Sequence, residues 1–174
     1  MEKATKPVVK TEASTMGLAD LLTHAMKDIY YAEKKIYKAL PNMIKAAQEP
    51  ALKDSLSAHR DETAQQIDLL EEAFAALGLR PKAEKCDAID GILEESTSLL
   101  EDFKGTPAID AAIIFSAQAV EHYEITRYGS MHAFAKVLGH TEVAKILELI
   151  LAQEKAADES LTELAESTVN AAAA

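Results

Sequence analysis

The segment AAIIFSAQAVEHYEITRYGSM, residues 111–131, decides the fold. It opens as an apolar run typical of a buried helix, and then places Glu121, His122 and Glu124 where the core pattern should continue. Ionisable groups are costly to bury unless they are paired, protonated or bound to a metal. The segment therefore predicts a buried helix whose acidic residues need a partner of one of these kinds.

The composition is that of an all-α protein. The chain has 174 residues, with 48% hydrophobic and 27% charged residues, as in ordinary globular proteins of one domain. Aromatic residues make up only 5%, Trp is absent, and Ala, Glu, Lys and Leu dominate. These are strong helix formers, so a disordered or fibrous chain is not expected.

The charge favours cations as partners. A net charge of −11 without a dense run of Lys or Arg repels phosphate backbones, so we expect no nucleic-acid partner. No apolar run approaches the roughly 20 residues of a membrane span, so no membrane partner is expected. Residues 1–16 lack the apolar region of a signal peptide and are predicted to be a disordered polar tail. Cys86 is the only cysteine, and its side chain is expected to be buried. A chain without an intramolecular disulfide fits a reducing compartment such as the cytoplasm.

Apolar residues at helical spacing predict two long helices in the first half of the chain. The first runs from about Leu18 to Gln48 and contains Pro41, a residue that can bend or split a helix. The second begins at Pro50 and ends near Leu77, before the sequence GLRP. A short turn between them makes the two helices antiparallel neighbours.

The second half predicts another such pair after a long connection. Residues 82–103 indicate a shorter helix, and Thr106 with Pro107 indicates the start of the third long helix, which Gly139 ends. The fourth runs from Thr141 to about Ser167, before a fraying tail. We therefore predict an all-α, four-helix bundle over 17–168, with one crossover that contains an extra shorter helix, and a C-terminal tail over 169–174.

Each long helix carries an acidic residue at a similar height in this bundle. Glu33 lies 16 residues before the first turn and Glu62 lies 13 after it, while Glu124 lies 16 before the second turn and Glu154 lies 14 after it. At about 1.5 Å per residue these heights differ by one helical turn or less. Other residues of ligand type lie on the same helix faces at spacings of three or four residues: His59, Gln66, Glu121 and Asp158.

This set of residues predicts a metal site in the middle of the bundle. Carboxylate oxygens and an imidazole nitrogen can hold one or two hard or borderline ions. In the metal-free protein we expect raised carboxyl pKa values, because close like charges resist joint ionisation. The alternative for each acidic residue is a solvated surface charge, which is common in a chain with 29 Asp and Glu residues.

Several segments are informative only in combination: DIYYAE, HRDET, the segment around Lys85 and Cys86, and EHYEITRYG. In this combination the sequence resembles the YciE/YciF group of bacterial ferritin-like stress proteins over about residues 17–168. The resemblance implies a ferritin-like bundle, commonly a homodimer, that is associated with stress responses. Ferritin-like relatives such as rubrerythrins hold two iron or manganese ions with one Glu from each of two helices and Glu-x-x-His from each of the others.

Carried over by position, the resemblance implies that Glu33 and the Glu121/Glu124 pair are the single-helix carboxylates. Glu62 and Glu154 would bridge two ions. The chain departs from this pattern, because neither of the last two is followed by His after three residues. The candidate ligands are therefore supplemented by residues in unusual positions: His59, which precedes Glu62, and Asp158, which follows Glu154.

Two functions follow from these expectations. The first is a carboxylate protein with two iron or manganese ions per chain, which consumes peroxide or dioxygen or oxidises Fe(II). The second is a non-catalytic helical dimer made under stress, whose acidic cluster is structural or vestigial. Iron storage in a large ferritin cage is a third option, which a measurement of native mass tests.

Overall fold

The computed structural model describes residues 15–174, and every regular element in that range is helical. Residues 15–17 are exposed, and the rest of the predicted polar tail, 1–14, lies outside the described residues. The chain forms these elements in order: α1 (Leu18–Ala46), α2 (Pro50–Ala76), α3 (Asp87–Asp102), α4 (Ile109–Val137), α5 (Thr141–Leu164), a π-helical turn (Ala165–Val169) and the short α6 (Asn170–Ala173).

The four long helices form a closed bundle. Helix α1 packs against α2 and α4, and α5 packs against the same two helices from the opposite corner. The short turns make α1/α2 and α4/α5 antiparallel. Helix α4 is also antiparallel to α1, since Tyr123 reaches Asp28 near one end while Asp110 reaches the backbone of Gln48 at the other. The predicted bundle of four long helices is thus confirmed.

Helix α3 carries the crossover along the outside of the bundle. It packs against α1 and α4 and returns the chain to the end where α1 gives way to α2. At its start, the Glu84 amide donates to the Lys27 carbonyl, and the buried Cys86 thiol lies 3.2 Å from the Tyr123 hydroxyl. The expected burial of Cys86 is confirmed. The side chain of Tyr31 donates to Asp90 of α3, which ties the crossover to α1.

Glycine ends two of the long helices. Gly78 and Gly139 have φ of 70° and 77°, in the left-handed region that side chains rarely adopt. In both places the next amide bonds five residues back, as the Leu79 amide does to the Phe74 carbonyl. This arrangement satisfies the last free carbonyls and turns the chain sharply.

The two hairpins are joined at one end by Asp110. Its carboxylate oxygens accept hydrogen bonds from the amides of Gln48 and Glu49, at 2.7 and 2.9 Å. These amides lie in the turn between α1 and α2, where Pro50 starts the second helix as predicted. We name this feature the Asp110 link.

Besides the end of α1, three predicted helix ends differ from the structure. Helix α3 begins only at Asp87. Helix α4 begins at Ile109 and not at Thr106, because Thr106 directs its hydroxyl back to the Phe103 carbonyl and closes a turn. The last helix does not end at Ser167 but continues to Ala173, because buried Val169 anchors it against α4.

Pro41 neither splits nor ends α1, which runs unbroken to Ala46, two residues short of the prediction. The proline is exposed, so water can satisfy the carbonyl that loses its hydrogen bond. Within the described residues, no helix combines the length and the apolar character that a membrane crossing requires.

Candidate metal centre

Five ionisable residues meet on the bundle axis. We call them the buried cluster: Glu33 of α1, His59 of α2, Glu121 and Glu124 of α4, and Glu154 of α5. The four Glu residues are at most 2% exposed, and His59 is 8% exposed. One ligand atom from each of His59, Glu121, Glu124 and Glu154 lies within 4.8 Å of the other three.

Helical periodicity explains why these residues point inward. On α4, Glu121 and Glu124 continue the inward stripe of Ala117 and Val120 and precede Tyr128, all buried. The apolar residues of this stripe fix the rotation of the helix, so its acidic residues must face the axis as well. The carboxylates of segment 111–131 are therefore buried because the apolar residues of the same helix turn that face inward.

Side-chain contacts connect the members of the cluster. The Nε2 atom of His59 lies 3.3 Å from Oε1 of Glu121, across the diagonal of the bundle. The carboxyl groups of Glu33 and Glu124 are within hydrogen-bonding reach, and so are those of Glu121 and Glu154. Four carboxyl groups and one imidazole thus share a single interior volume.

Several buried ligand atoms in this volume have no hydrogen-bond partner among the described residues. They are Oε2 of Glu33, Oε2 of Glu121, Oε1 of Glu124, Oε2 of Glu154 and both ring nitrogens of His59. Buried polar groups are normally satisfied, and several exceptions at one point call for a missing partner. Oxygen and imidazole donors on four helices fit a divalent metal ion.

Burial shifts the protonation of the whole cluster. Desolvation and the charge of Glu154 raise the pKa of Glu33 to about 8. Desolvation raises the pKa of Glu154 to about 7, and it raises the pKa of Glu121 and Glu124 well above the ordinary range. Desolvation lowers the pKa of His59 to about 4. His59 is therefore neutral at pH 7, and its contact with Glu121 is not an ion pair.

Two predicted ligands lie outside the buried cluster. Glu62 is half-buried on α2, and its charge acts on Glu154 of α5. Glu62 is not among the residues whose ligand atoms lie within 4.8 Å of one another, which are His59, Glu121, Glu124 and Glu154. Its predicted role as a ligand stays a prediction.

Asp158 is also half-buried, and it is engaged with α4. It accepts a hydrogen bond of 3.1 Å from Gln118, and its other oxygen lies 3.3 Å from Nε2 of the exposed His122. Its charge still acts on Glu121. Asp158 and Glu62 thus mark the rim of the buried cluster.

Two neutral residues contact the cluster directly, of which the sequence placed Gln66 on the face of His59 and Glu62 and did not assign Tyr128 to the site. Gln66 of α2 donates to Oε1 of Glu154 at 2.5 Å and occupies the inward position one turn beyond Glu62. The Tyr128 hydroxyl, fully buried, donates to Glu33. Both lie on the inward stripes that contain His59 and Glu124, and that spacing was the available signal in the sequence.

Replacing Tyr128 with Phe is expected to change the titration of Glu33. The lost hydrogen bond stabilises ionised Glu33, so the pKa of Glu33 should rise further. An unsatisfied buried acceptor should cost about 1–3 kcal/mol of folding free energy. Carboxyl NMR titration and chemical denaturation measure the two effects.

The matched control is Tyr123→Phe, because the Tyr123 hydroxyl contacts Cys86 and Asp28 and not the cluster. Glu33 should titrate in this variant as in the parent. If both variants shift Glu33 equally, Tyr128 does not orient that carboxyl group.

Comparison with known proteins gives one family. A family model described as domain of unknown function DUF892 matches residues 17–174. The chain is 37% identical over 154 residues to Protein YciF of Escherichia coli K12, covering 88% of this chain and 93% of that protein. The crystal structure of the E. coli stress protein YciF superimposes with a TM-score of 0.85 at 36% identity, over 90% of this chain and 99% of that one.

A second solved structure is also similar to this chain. It is YcfI of Rhodopseudomonas palustris, a protein to which a structural role is attributed. It is 43% identical with a TM-score of 0.83, over 86% of this chain and 95% of that one. With the family model spanning nearly all described residues, the chain belongs to the DUF892 family and is similar throughout to the YciF stress protein.

Proposed function

We propose that this chain is a ferritin-like metalloprotein whose buried cluster binds iron or manganese. The observation that carries the proposal is the set of buried carboxylate and imidazole atoms that lack a partner. Four helices converge on them, with carboxylates from α1, α4 and α5 and the imidazole from α2. A bundle core with inward carboxylates from facing helices is the usual setting of a di-metal carboxylate site.

The donor set favours manganese or iron over zinc. Structural zinc sites prefer four nitrogen or sulfur donors in a tetrahedron, whereas this cluster offers four carboxylates and one imidazole. His59, Glu121, Glu124 and Glu154 would hold one ion, since their ligand atoms lie within 4.8 Å of one another. A second ion would lie toward Glu33, which contacts Glu124.

When bound, such ions can supply redox chemistry toward peroxide or dioxygen. The residues of this chain would bind and orient them. Neutral His59 has a ring nitrogen free to ligate at pH 7. The carboxyl groups, protonated in part without metal, would release protons on binding. Tyr128 and Gln66 would each hold one carboxylate in place through the hydrogen bonds described above.

A structural role is the second candidate, and one observation favours it. The carboxyl groups of Glu33 and Glu124, and of Glu121 and Glu154, lie within hydrogen-bonding reach in pairs. With raised pKa values, each pair can share a proton and stay buried without an ion. The structural role attributed to YcfI is in line with this alternative.

Metal analysis of the purified chain decides between the two. A protein prepared without chelator should carry about two ions of iron or manganese per chain, as a di-metal bundle does. Calorimetric titration of the stripped protein with Mn(II) should show saturable binding and proton release. Consumption of peroxide or dioxygen by the iron-loaded protein, compared with the stripped protein, then tests the redox role. A metal content no higher than that of an unfolded sample would contradict the metal-binding role and favour the structural one.

A further inference from the structure

Two adjoining cavities lead from the surface to the buried cluster, on the side that α3 covers. The outer one is a groove of about 230 Å³ between α1 and α3. Its wall is mixed, with the apolar Leu100 beside polar residues such as Asn42 and Thr97. The groove is partly open to solvent, so small molecules can enter it.

The inner cavity has a volume of about 10 Å³ and lies against the cluster. His59 and Glu121 form its polar side. The remainder is apolar and comes from α1, α3 and α4: Ile36, Ala39, Leu40, Met43, Leu93, Ala117 and Val120. This volume corresponds to about one water-sized sphere, so only a very small molecule fits without movement of the lining side chains.

The two cavities share part of their walls. Ala39, Met43 and Leu93 line both, so these three side chains separate the groove from the inner cavity. Ala39 is small, and Met43 and Leu93 are flexible enough to move aside in side-chain fluctuations. Movement of these side chains would therefore connect the groove with the inner cavity.

We propose that this pair of cavities admits dioxygen to the buried cluster. Seven of the nine side chains that line the inner cavity are apolar, and apolar solutes partition from water into apolar cavities. Peroxide and charged species would lose hydrogen bonds to water while passing the apolar wall, which opposes their entry. The proposal names the oxidant of the proposed function and rests on that function for its biological meaning.

Relaxation of methyl groups by dissolved dioxygen tests the proposal on the metal-free full chain. Dioxygen is paramagnetic, so it speeds the relaxation of methyl groups that it approaches. Under dioxygen pressure, Ile36 and Val120 of the inner cavity should relax much faster than Leu147, which is fully buried and lines neither cavity. A water-soluble nitroxide, too large for the inner cavity, should affect Leu100 of the groove but not Val120.

Two variants change the shared wall in opposite directions. Ala39→Phe should abolish the dioxygen effect on Val120, because the ring fills the wall. Leu93→Ala should increase the dioxygen effect on Val120, because it removes part of the shared wall. The control is Ala25→Phe, since Ala25 is a half-buried alanine of the same helix that lines neither cavity. It should leave the effect unchanged.

Equal dioxygen effects at Val120 and Leu147 in the parent would overturn the proposal. So would an undiminished effect in a folded Ala39→Phe variant, or no increase in Leu93→Ala. The proposed function fails by a separate measurement, the absence of bound metal. A chain that binds metal but shows no dioxygen effect at Val120 refutes this route alone. A chain that shows the dioxygen effect but binds no metal refutes the metal site alone.

Discussion

A variant in which Glu124 and Glu154 are both replaced by Gln is expected to lose tight binding of iron and manganese. Both carboxylates are fully buried and belong to the set of ligand atoms within 4.8 Å of one another. Gln keeps the size of the side chain but removes the charge that offsets dehydration of a divalent ion. Since loss of residues that merely support ligands costs 10–100-fold in affinity, the loss here should exceed about 100-fold.

The matched control replaces Glu62 with Gln and Asp158 with Asn. It removes the same number of charges from the same height in the bundle, but from the rim of the cluster. Metal affinity should change little in this control. Calorimetric titration with Mn(II) compares the two double variants with the parent. Equal losses in both variants would mean that the buried carboxylates are not the ligands.

The same Glu124/Glu154 variant should be more stable than the parent without metal at pH 8. Replacing buried ionic groups by neutral groups of similar volume is often neutral or stabilising, by about 1–4 kcal/mol. Thermal unfolding of the stripped proteins measures this difference. A large drop in melting temperature would show that these carboxylates stabilise the fold without an ion, as the structural role requires.

The metal-free protein is expected to lose stability as the pH rises from about 6.5 to 8. The pKa values of Glu33 and Glu154, about 8 and 7, lie above their ordinary value of 4.5, so the folded state holds more protons than the unfolded state in this range. Stability therefore falls with rising pH, by about 1.4 kcal/mol per pH unit for each such proton. The contribution of these groups is complete only below about pH 4.5.

His59 acts in the opposite direction, but only in more acidic solution. Its pKa of about 4 lies below the ordinary 6.5, so between these values the folded state holds fewer protons and stability rises with pH. Above pH 6.5 the carboxyl groups alone set the slope. Denaturant melts of the stripped protein at several pH values measure it, with the Glu124/Glu154 variant expected to show a shallower slope.

With bound metal, the stability of the folded state should instead rise with pH. Metal ions compete with protons for the carboxyl groups, so the affinity rises with pH. At a free-ion concentration 1,000 times the dissociation constant, one ion stabilises the folded state by about 4 kcal/mol. A stability profile that is flat in the stripped protein, or unchanged by Mn(II), would contradict ionisation of the buried cluster.

The sequence predicted the helices well because each has a long apolar stripe. Pro50, Gly78 and Gly139 mark helix ends by backbone chemistry that does not depend on tertiary contacts. The start of α4 at Ile109 and the continuation of the last helix past Val169 were harder to predict. The start of α4 depends on how Thr106 closes a turn, and the length of the last helix depends on packing of Val169 against α4.

The site was predicted in part, for a reason of geometry. Counting residues from a turn gives the height of a side chain in the bundle but not its rotation around the helix axis. Glu62 is at the expected height but is only half-buried, whereas Gln66 is buried and donates to Glu154. The two cavities could not be predicted, because they arise where side chains of α1, α3 and α4 fail to fill the space between them.

The Asp110 link bears on how the protein folds and unfolds. Each hairpin can form from contacts close in sequence, but Glu33 and His59 belong to one hairpin while Glu121, Glu124 and Glu154 belong to the other. The buried cluster exists only after the hairpins have docked, so a metal ion that binds there would be captured late in folding. Interactions that are absent from the transition state slow unfolding without speeding folding. The ion should therefore lengthen the half-life of the native state, and its escape should require the hairpins to separate at the end opposite the Asp110 link.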